Sequence, residues 1–271
     1  MCFAAPGSDE CEAAWSEFRD HVQRRTSQPP YHIKLLLDRL ESSRGNRDRA
    51  DIVILDHGCG GGLTLFYLAI LGYTNFWGLD VGGEFASRNA VAAENFGHDE
   101  DRLSVYDGKT IPLPDASVDV VFSQQVIEHV TDDALEAYYR EEGRVLKPGG
   151  LAVHYVPHRL VPFDSHTGTW LIHYLPRPLY HRLAEWLGSP VPHHLHLRWP
   201  WVHRSLLQRH VGPVEDVTGS RFSIPPDEDN YDGPLRLRHL VSGLMNAPVV
   251  GRAAESVLTS LVMLETLTIR R

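Results

Sequence analysis

The sequence predicts an α/β fold: a doubly wound, mostly parallel sheet with a C-terminal antiparallel hairpin and a helical and loop insertion acting as a lid. Three observations predict it. Short apolar segments alternate with helical ones from Asp51 to about residue 156. The first of those segments, VILDHGCGGGLTLF at 53–66, runs an apolar strand through Gly58, Gly60, Gly61 and Gly62 into an apolar helix. The alternation then stops at 157, where the chain turns rich in Pro, His, Trp and Arg before strand-like stretches return at 213–222 and 258–269.

Taken in order, residues 11–25 and 31–43 read as two helices with polar faces, split by Gln28-Pro29-Pro30, and the Arg- and Asp-rich 44–51 reads as a linker. An N-terminal helical extension over 1–50 followed by one domain over 51–271 is expected, with acceptor-side insertions at about 157–210 and 225–257. Within the domain the pattern gives strand 52–56, helix 63–71, strand 75–80, helix 84–95, strand 102–106, strand 118–123, helix 132–145 and strand 150–156. The LKPGG stretch entering the last of these places Pro148 and Gly149 as a type II turn requires. Residues 258–269, LTSLVMLETLTI, are long enough for a closing strand paired with 213–222.

Composition narrows the function. The chain has 271 residues, 42% of them hydrophobic, enough for one sizeable core. The start, MCFAAPGSDEC, has no basic segment before its few apolar residues, and no apolar run is long enough to span a bilayer, so a soluble cytoplasmic protein is expected. Cys2, Cys11 and Cys59 form neither a paired framework nor a C-x-x-C motif, which argues against disulfides and a cysteine zinc site. A net charge of −9 disfavours a nucleic-acid partner. Residues 170–210 nevertheless carry Arg177, Arg182, Arg198, Arg204 and Arg209 against the single acid Glu185, so that region is suited to an anion.

Glycines in the loop leaving the first strand of such a sheet let a ligand approach bare backbone amides. A dinucleotide fingerprint would need a small residue where Leu63 stands, and the actual pattern is Asp56-x-Gly58-x-Gly60-x-Gly62. With this motif, FWGLDVG and SVYDGKTIPLPDASVDVVF, residues 50–157 resemble the class I S-adenosylmethionine-dependent methyltransferases, a Rossmann-like family. The resemblance implies S-adenosylmethionine as cofactor. It assigns Asp56, Gly58, Gly60 and Gly62 to the methionine part, Asp80 to the ribose hydroxyls and Asp107-Gly108 to the adenine. Ser123 and Gln124, at the end of the fourth strand, complete that set, because this strand end lies beside the reactive methyl in the family. Asp119, opening the same strand, reads as structural.

Methyl transfer to an alcohol gains from a base, and histidine suits that role near neutral pH. His166 in PFDSHTG ranks first and His129 in QQVIEHV second, with Asp164 placed to orient the imidazole; His158 follows the fifth strand, and His154 points from within it. QQVIEHV also resembles the E-x-x-E-H segment of some O-methyltransferases, including the ubiquinone-biosynthesis type, whose two glutamates and histidine hold a divalent metal. Glu128 and His129 match it, but Gln125 stands where the first glutamate would be, so a metal is the lesser expectation, with Asp164 or His166 available to complete the shell. His193, His194 and His196 read as a solvated loop.

The stretch 156–188 resembles methyltransferases found with polysaccharide and glycolipid assembly, which implies a small-molecule, sugar or lipid-linked hydroxyl acceptor. Leu179, Leu183, Trp186 and Leu187 fall on one helical face opposite Arg182; packing of that face on the domain is the expectation, with peripheral contact to lipid as the alternative. Two further classes stay open. A nicotinamide-dependent oxidoreductase would use the same sheet and Asp80 but has Leu63 and Asp107 against it; a non-catalytic cofactor-binding regulator would keep the motifs without turnover.

Overall fold

A computed structural model describes residues 8–26, 29–82, 95–220 and 257–271. The first helix, α1 (Asp9–Arg24), is capped by the Ser8 hydroxyl, which accepts from the Cys11 amide at 3.3 Å, and its first turn is acidic as the helix dipole favours. After Pro29-Pro30, α2 spans Tyr31–Arg44. Strand β1 (Ile54–His57) leads through the glycine loop into α3 (Leu63–Ile70), followed by β2 (Phe76–Asp80), β3 (Leu103–Val105) and β4 (Val118–Gln124). Helix α4 (Leu135–Val145) precedes β5 (Leu146–Val156). A short hairpin, β6 (Phe163–Asp164) and β7 (Thr169–Trp170), and the helices α5 (Arg177–Trp186) and α6 (Pro200–His210) build the insertion before β8 (Val214–Asp216) and β9 (Leu264–Ile269).

Seven strands form one sheet in the order β3-β2-β1-β4-β5-β9-β8. Strand β1 pairs in parallel with β2 and β4, and β2 with β3, while β8 and β9 run antiparallel with Val214 opposite Thr268. The doubly wound sheet with its C-terminal antiparallel pair is therefore present as expected. The expected closing strand over 258–269 is shorter: residues 257–260 are helical and only Leu264–Ile269 is strand. There the Ser260 hydroxyl donates to the Val257 carbonyl at 2.7 Å and the Leu261 amide to the Leu258 carbonyl, so the backbone is spent locally rather than on a ladder. Conversely, the expected LKPGG turn lies within β5, with φ of 78° at Gly149, and the Gly149 and Arg270 amides exchange bonds with the Arg270 and Gly150 carbonyls. The helix expected over 84–95 and the insertion over 225–257 lie outside the described residues, apart from Asn95 and Val257.

The described residues fall into two compact units, one from 8–123, 140–153 and 269–271, the other from 124–139 and 154–268. In the first, Val22 of α1, Ile33 of α2 and Tyr67 of α3 share a buried cluster, and the Trp15 and Phe66 rings meet edge to face at 5.4 Å. In the second, Tyr180 and Ala184 of α5 pack with Val191 and Leu195. The amphipathic expectation for this helix is corrected: Leu179, Trp186 and Leu187 are 52%, 79% and 50% exposed, because the packed stripe is the neighbouring one carrying Tyr180 and Ala184. Among the described residues no helix is long and apolar enough to cross a membrane.

Asp119 ties the entrance of β4 to its surroundings in the first unit. It accepts from Arg47 at 2.7 Å, Lys147 at 2.8 Å and the Val53 amide at 2.9 Å. Burial opposes its ionisation, but the Arg47 and Lys147 bonds and the Val53 amide outweigh it and hold the carboxyl below its usual range. Stability from a depressed carboxyl is present above its unfolded value, about 3.9, and is lost as pH falls through the folded one. Asp119→Ala is expected to cost about 1–2 kcal/mol at pH 7, less than a fully buried site because water reaches Arg47. Urea denaturation at pH 7 and pH 3 checks it: the gap between wild type and variant shrinks at the lower pH.

Candidate active site

The first unit presents the strand-end residues. At the end of β1 the amides of Gly58 and Cys59 both donate to the Leu79 carbonyl, at 2.7 and 3.0 Å, which folds the loop back onto β2. Gly58, Gly60 and Gly62 have φ of 98°, 48° and 71°, conformations that L side chains rarely adopt. Their surroundings differ. A Cβ on Gly60 would meet nothing within 4 Å, whereas one on Gly62 would press on Leu103 Cδ1 at 3.1 Å. Gly60 therefore borders open space and Gly62 is small for packing.

Asp80 holds this loop. Its Oδ2 accepts from the Gly60 amide at 2.8 Å and its Oδ1 from the Gly82 amide at 2.9 Å, which leaves further lone pairs on both oxygens. Asp56 is buried, and burial first, then the Asp80 charge, pushes its carboxyl well above the usual range. Asp107 Oδ1 accepts the Lys109 and Thr110 amides at 2.8 Å each, bonds that hold its carboxyl low, while Oδ2 is not used by that turn. Gly108, with φ of 73°, lies against Val81: a Cβ there would sit 3.2 Å from Val81 Cγ1. Val81 is 66% exposed, a large apolar side chain open beside Asp80, and sequence reasoning missed it because one valine after a strand carries no periodic signal.

Beside the loop, His57 joins two groups that the sequence keeps far apart. Its Nδ1 meets Glu142 Oε1 at 2.9 Å and its Nε2 meets the Tyr106 hydroxyl at 2.7 Å, with His57 and Glu142 both fully buried. Burial raises the Tyr106 phenol far above its ordinary value, with Glu142 adding to it. Separations of 85 and 49 residues left this triad without a sequence signal. Ser123 closes the unit as a buried residue of β4.

The second unit opens with Gln124, half-buried, and Gln125, exposed with φ of 55°. Its main feature is a carboxylate and imidazole cluster. Asp164, at the end of β6, is buried and accepts four bonds: the His166 amide at 3.0 Å and His166 Nδ1 at 3.1 Å on Oδ1, the Thr167 hydroxyl at 2.8 Å and the Tyr180 hydroxyl at 2.6 Å on Oδ2. Burial opposes its charge, yet the His166, Tyr180 and Thr167 bonds prevail and hold the carboxyl far below the usual range. In return, Asp164 raises the His166 imidazole above its ordinary value, against the opposing effect of burial.

Facing this pair, Glu128 is fully buried and neither carboxylate oxygen has a hydrogen-bond partner among the described residues; burial pushes it up to about 7. Glu128 Oε1 lies 3.9 Å from both His129 Nε2 and His166 Nε2, and one ligand atom from each of the three residues falls within 4.8 Å of the others. Burial lowers His129. The structure thus brings His166, His129, Asp164 and Glu128 together. His158 stands apart from them: Nε2 meets the Val262 carbonyl at 2.8 Å, Nδ1 accepts the Leu160 amide at 3.2 Å, and burial lowers it to about 4. His193 and His194 are exposed, as a solvated loop requires, but His196 departs from that expectation: it is half-buried and its amide donates to the Glu128 carbonyl at 2.6 Å.

Comparison with known proteins adds the family. Residues 55–154 match the family model described as a methyltransferase domain. A probable S-adenosylmethionine-dependent methyltransferase of Mycolicibacterium smegmatis is 52% identical over 50 residues, 18% of this chain and 19% of that protein. The ubiquinone biosynthesis O-methyltransferase of Maricaulis maris is 32% identical over 109 residues, 40% of this chain and 42% of that protein. The matched stretches thus span less than half the length of these curated relatives. A solved S-adenosylmethionine-dependent methyltransferase from Mesorhizobium loti superposes with a TM-score of 0.50 at 21% identity, covering 81% of this chain and 91% of that one, a likeness of fold.

Proposed function

We propose that this chain, whose residues 55–154 are a methyltransferase domain of the class I S-adenosylmethionine-dependent type, transfers a methyl group to a hydroxyl of a small-molecule, sugar or lipid-linked acceptor. The residues fit that cofactor. Bound S-adenosylmethionine would supply an electrophilic methyl on a positively charged sulfonium. The Asp56 carboxyl, raised first by burial and then by the Asp80 charge, suits with Asp80 a cationic ligand that offsets both effects. The spare lone pairs of Asp80 suit two vicinal hydroxyls, Val81 offers an apolar wall and Asp107 Oδ2 an acceptor for an amine. Gly60 leaves bare backbone, and Ser123 and Gln124 close the set at the end of β4.

The observation that carries O-methylation is the Asp164–His166 pair. With Nδ1 turned to Asp164, His166 presents Nε2, and the carboxylate that fixes the tautomer stabilises the imidazolium formed when a hydroxyl proton is taken. His129 is placed to position the acceptor, its Nε2 3.9 Å from the same Glu128 oxygen as His166 Nε2. A second reading has its own support: the two partnerless oxygens of Glu128, with His129 and His166, form a donor set for a divalent cation that would orient the acceptor oxygen. Dialysis against a chelator decides between them. Activity that survives leaves His166 as base; activity lost and restored by magnesium or manganese makes it a ligand.

The test of the function is incubation of the protein with methyl-deuterated cofactor and cell extract, followed by mass spectrometry for a labelled product and S-adenosylhomocysteine. Cofactor turnover with no labelled acceptor, or firm nicotinamide binding without S-adenosylmethionine binding, overturns the reading. Asp80→Ala is expected to weaken S-adenosylhomocysteine binding by about 1.5–3 kcal/mol, tenfold to a hundredfold, because two hydroxyls lose a charged acceptor. Calorimetry showing unchanged affinity removes Asp80 from the site.

A further inference from the structure

The second unit contains a cavity of about 170 Å³ whose walls carry three arginines, Arg159, Arg177 and Arg198, and one acid, Asp132. We propose that this cavity binds the phosphoryl group of a phosphate monoester, and that the methyl acceptor carries this group. The second half rests on the methyltransferase reading; the binding itself does not.

The charges in the wall do not cancel. Arg198 is committed to structure: Nε and Nη2 donate to Asp132 Oδ1 at 3.0 and 2.7 Å, Nη1 to the Ile127 carbonyl at 2.9 Å and Nη2 to the Val130 carbonyl at 2.6 Å. That pairing takes up the hydrogen bonds of the acid, whose charge Arg177 feels only without contact. Arg159 is anchored by carbonyls alone, Nε to His173 at 2.8 Å and Nη2 to Leu175, with its guanidinium 5.2 Å from the centre of the Trp199 ring. Arg177, in the first turn of α5, donates among the described residues to His181 Nε2, at 3.5 Å. Among the described residues no carboxylate pairs with Arg159 or Arg177. Two uncompensated guanidinium groups around one cavity, in a chain of net charge −9, are an arrangement whose missing partner is an anion.

The donors suit a tetrahedral anion better than a planar one. They are two forked guanidinium groups, one from the loop after β5 and one from the first turn of α5. Their N–H groups can spread over the terminal oxygens of a phosphoryl group, where a carboxylate offers two in one plane. Two residues of the cavity wall also bond to the cluster that contains His166. The hydroxyl of its lining residue Tyr180 donates to Asp164 at 2.6 Å, the carboxylate that holds His166, and the amide of its lining residue His196 donates to the Glu128 carbonyl at 2.6 Å. On the methyltransferase reading, the molecule whose phosphoryl group is held here is the one whose hydroxyl meets the His166 imidazole.

The experiment titrates the full chain with glycerol 3-phosphate, with glycerol as the uncharged control, and in a parallel arm with phosphatidylcholine vesicles with and without phosphatidic acid. Binding of the phosphate ester but not of glycerol is expected, weakened about tenfold or more in Arg177→Ala and in Arg159→Ala. Arg182→Ala, an exposed arginine on the same helix outside the cavity, should leave it unchanged. Arg177-dependent binding to phosphatidic acid vesicles alone assigns the phosphoryl group to a lipid headgroup, and Arg177-dependent binding of glycerol 3-phosphate to a soluble ester. Absence of binding in both arms, or equal binding in Arg177→Ala and Arg182→Ala, overturns the proposal. S-adenosylhomocysteine calorimetry on the same samples separates the two readings. Retained cofactor binding without phosphate binding sinks the cavity proposal alone, and phosphate binding without cofactor binding sinks the methyltransferase reading alone.

Discussion

His166→Ala is expected to slow methyl transfer by about a hundredfold or more while S-adenosylhomocysteine affinity stays near normal. The first effect follows from geometry: Asp164 Oδ1 fixes Nδ1 at 3.1 Å, so Nε2 is the nitrogen left for the acceptor, whereas His129, the other imidazole of the cluster, turns its Nδ1 to the His194 carbonyl at 3.4 Å. The second follows because Asp80, Asp107 and the glycine loop do not involve residue 166. The pH profile carries the sign. A base must be neutral, and Asp164 raises His166, so the acidic limb of kcat/KM should lie above the ordinary histidine value of about 6.5. Asp164→Asn removes the charge that raises it and should move the limb to lower pH. A limb that is unchanged in both variants, with full activity of His166→Ala, rules out the base.

His57→Leu is expected to destabilise the protein by about 3 kcal/mol or more. Glu142 Oε1 and the Tyr106 hydroxyl each lose their bond to His57, and Glu142 is fully buried. Removing one member of a buried pair costs more than the pair itself contributes, since the remaining group keeps its desolvation penalty without the bond. Glu142→Leu added to His57→Leu should therefore recover part of the loss. Urea denaturation of both variants measures this, and a loss under about 1 kcal/mol for His57→Leu would show that Tyr106 and Glu142 find other partners.

The sheet of the first unit and its glycine loop were legible along the chain. Alternating apolar and helical segments, three glycines with positive φ at alternate positions and acids at Asp80 and Asp107 are local signals, each read within a dozen residues, and hydrophobic periodicity and backbone sterics act at that range. Asp164 and His166 were readable for the same reason, being two residues apart with an Asx-type bond between them. The rest came from packing. Which stripe of α5 is buried turned on Tyr180 and Ala184 meeting Val191 and Leu195, a packing choice that the amphipathic pattern reads wrongly because Leu179, Trp186 and Leu187 are equally apolar. The closing strand shortened because side-chain and backbone bonds at Val257 to Leu261 satisfied that segment locally. His57 with Glu142 and Tyr106, Glu128 against His166, and Arg159 with Arg177 join residues from 18 to 85 positions apart. Such contacts depend on where packed elements bring side chains, and no pattern along the chain encodes that distance.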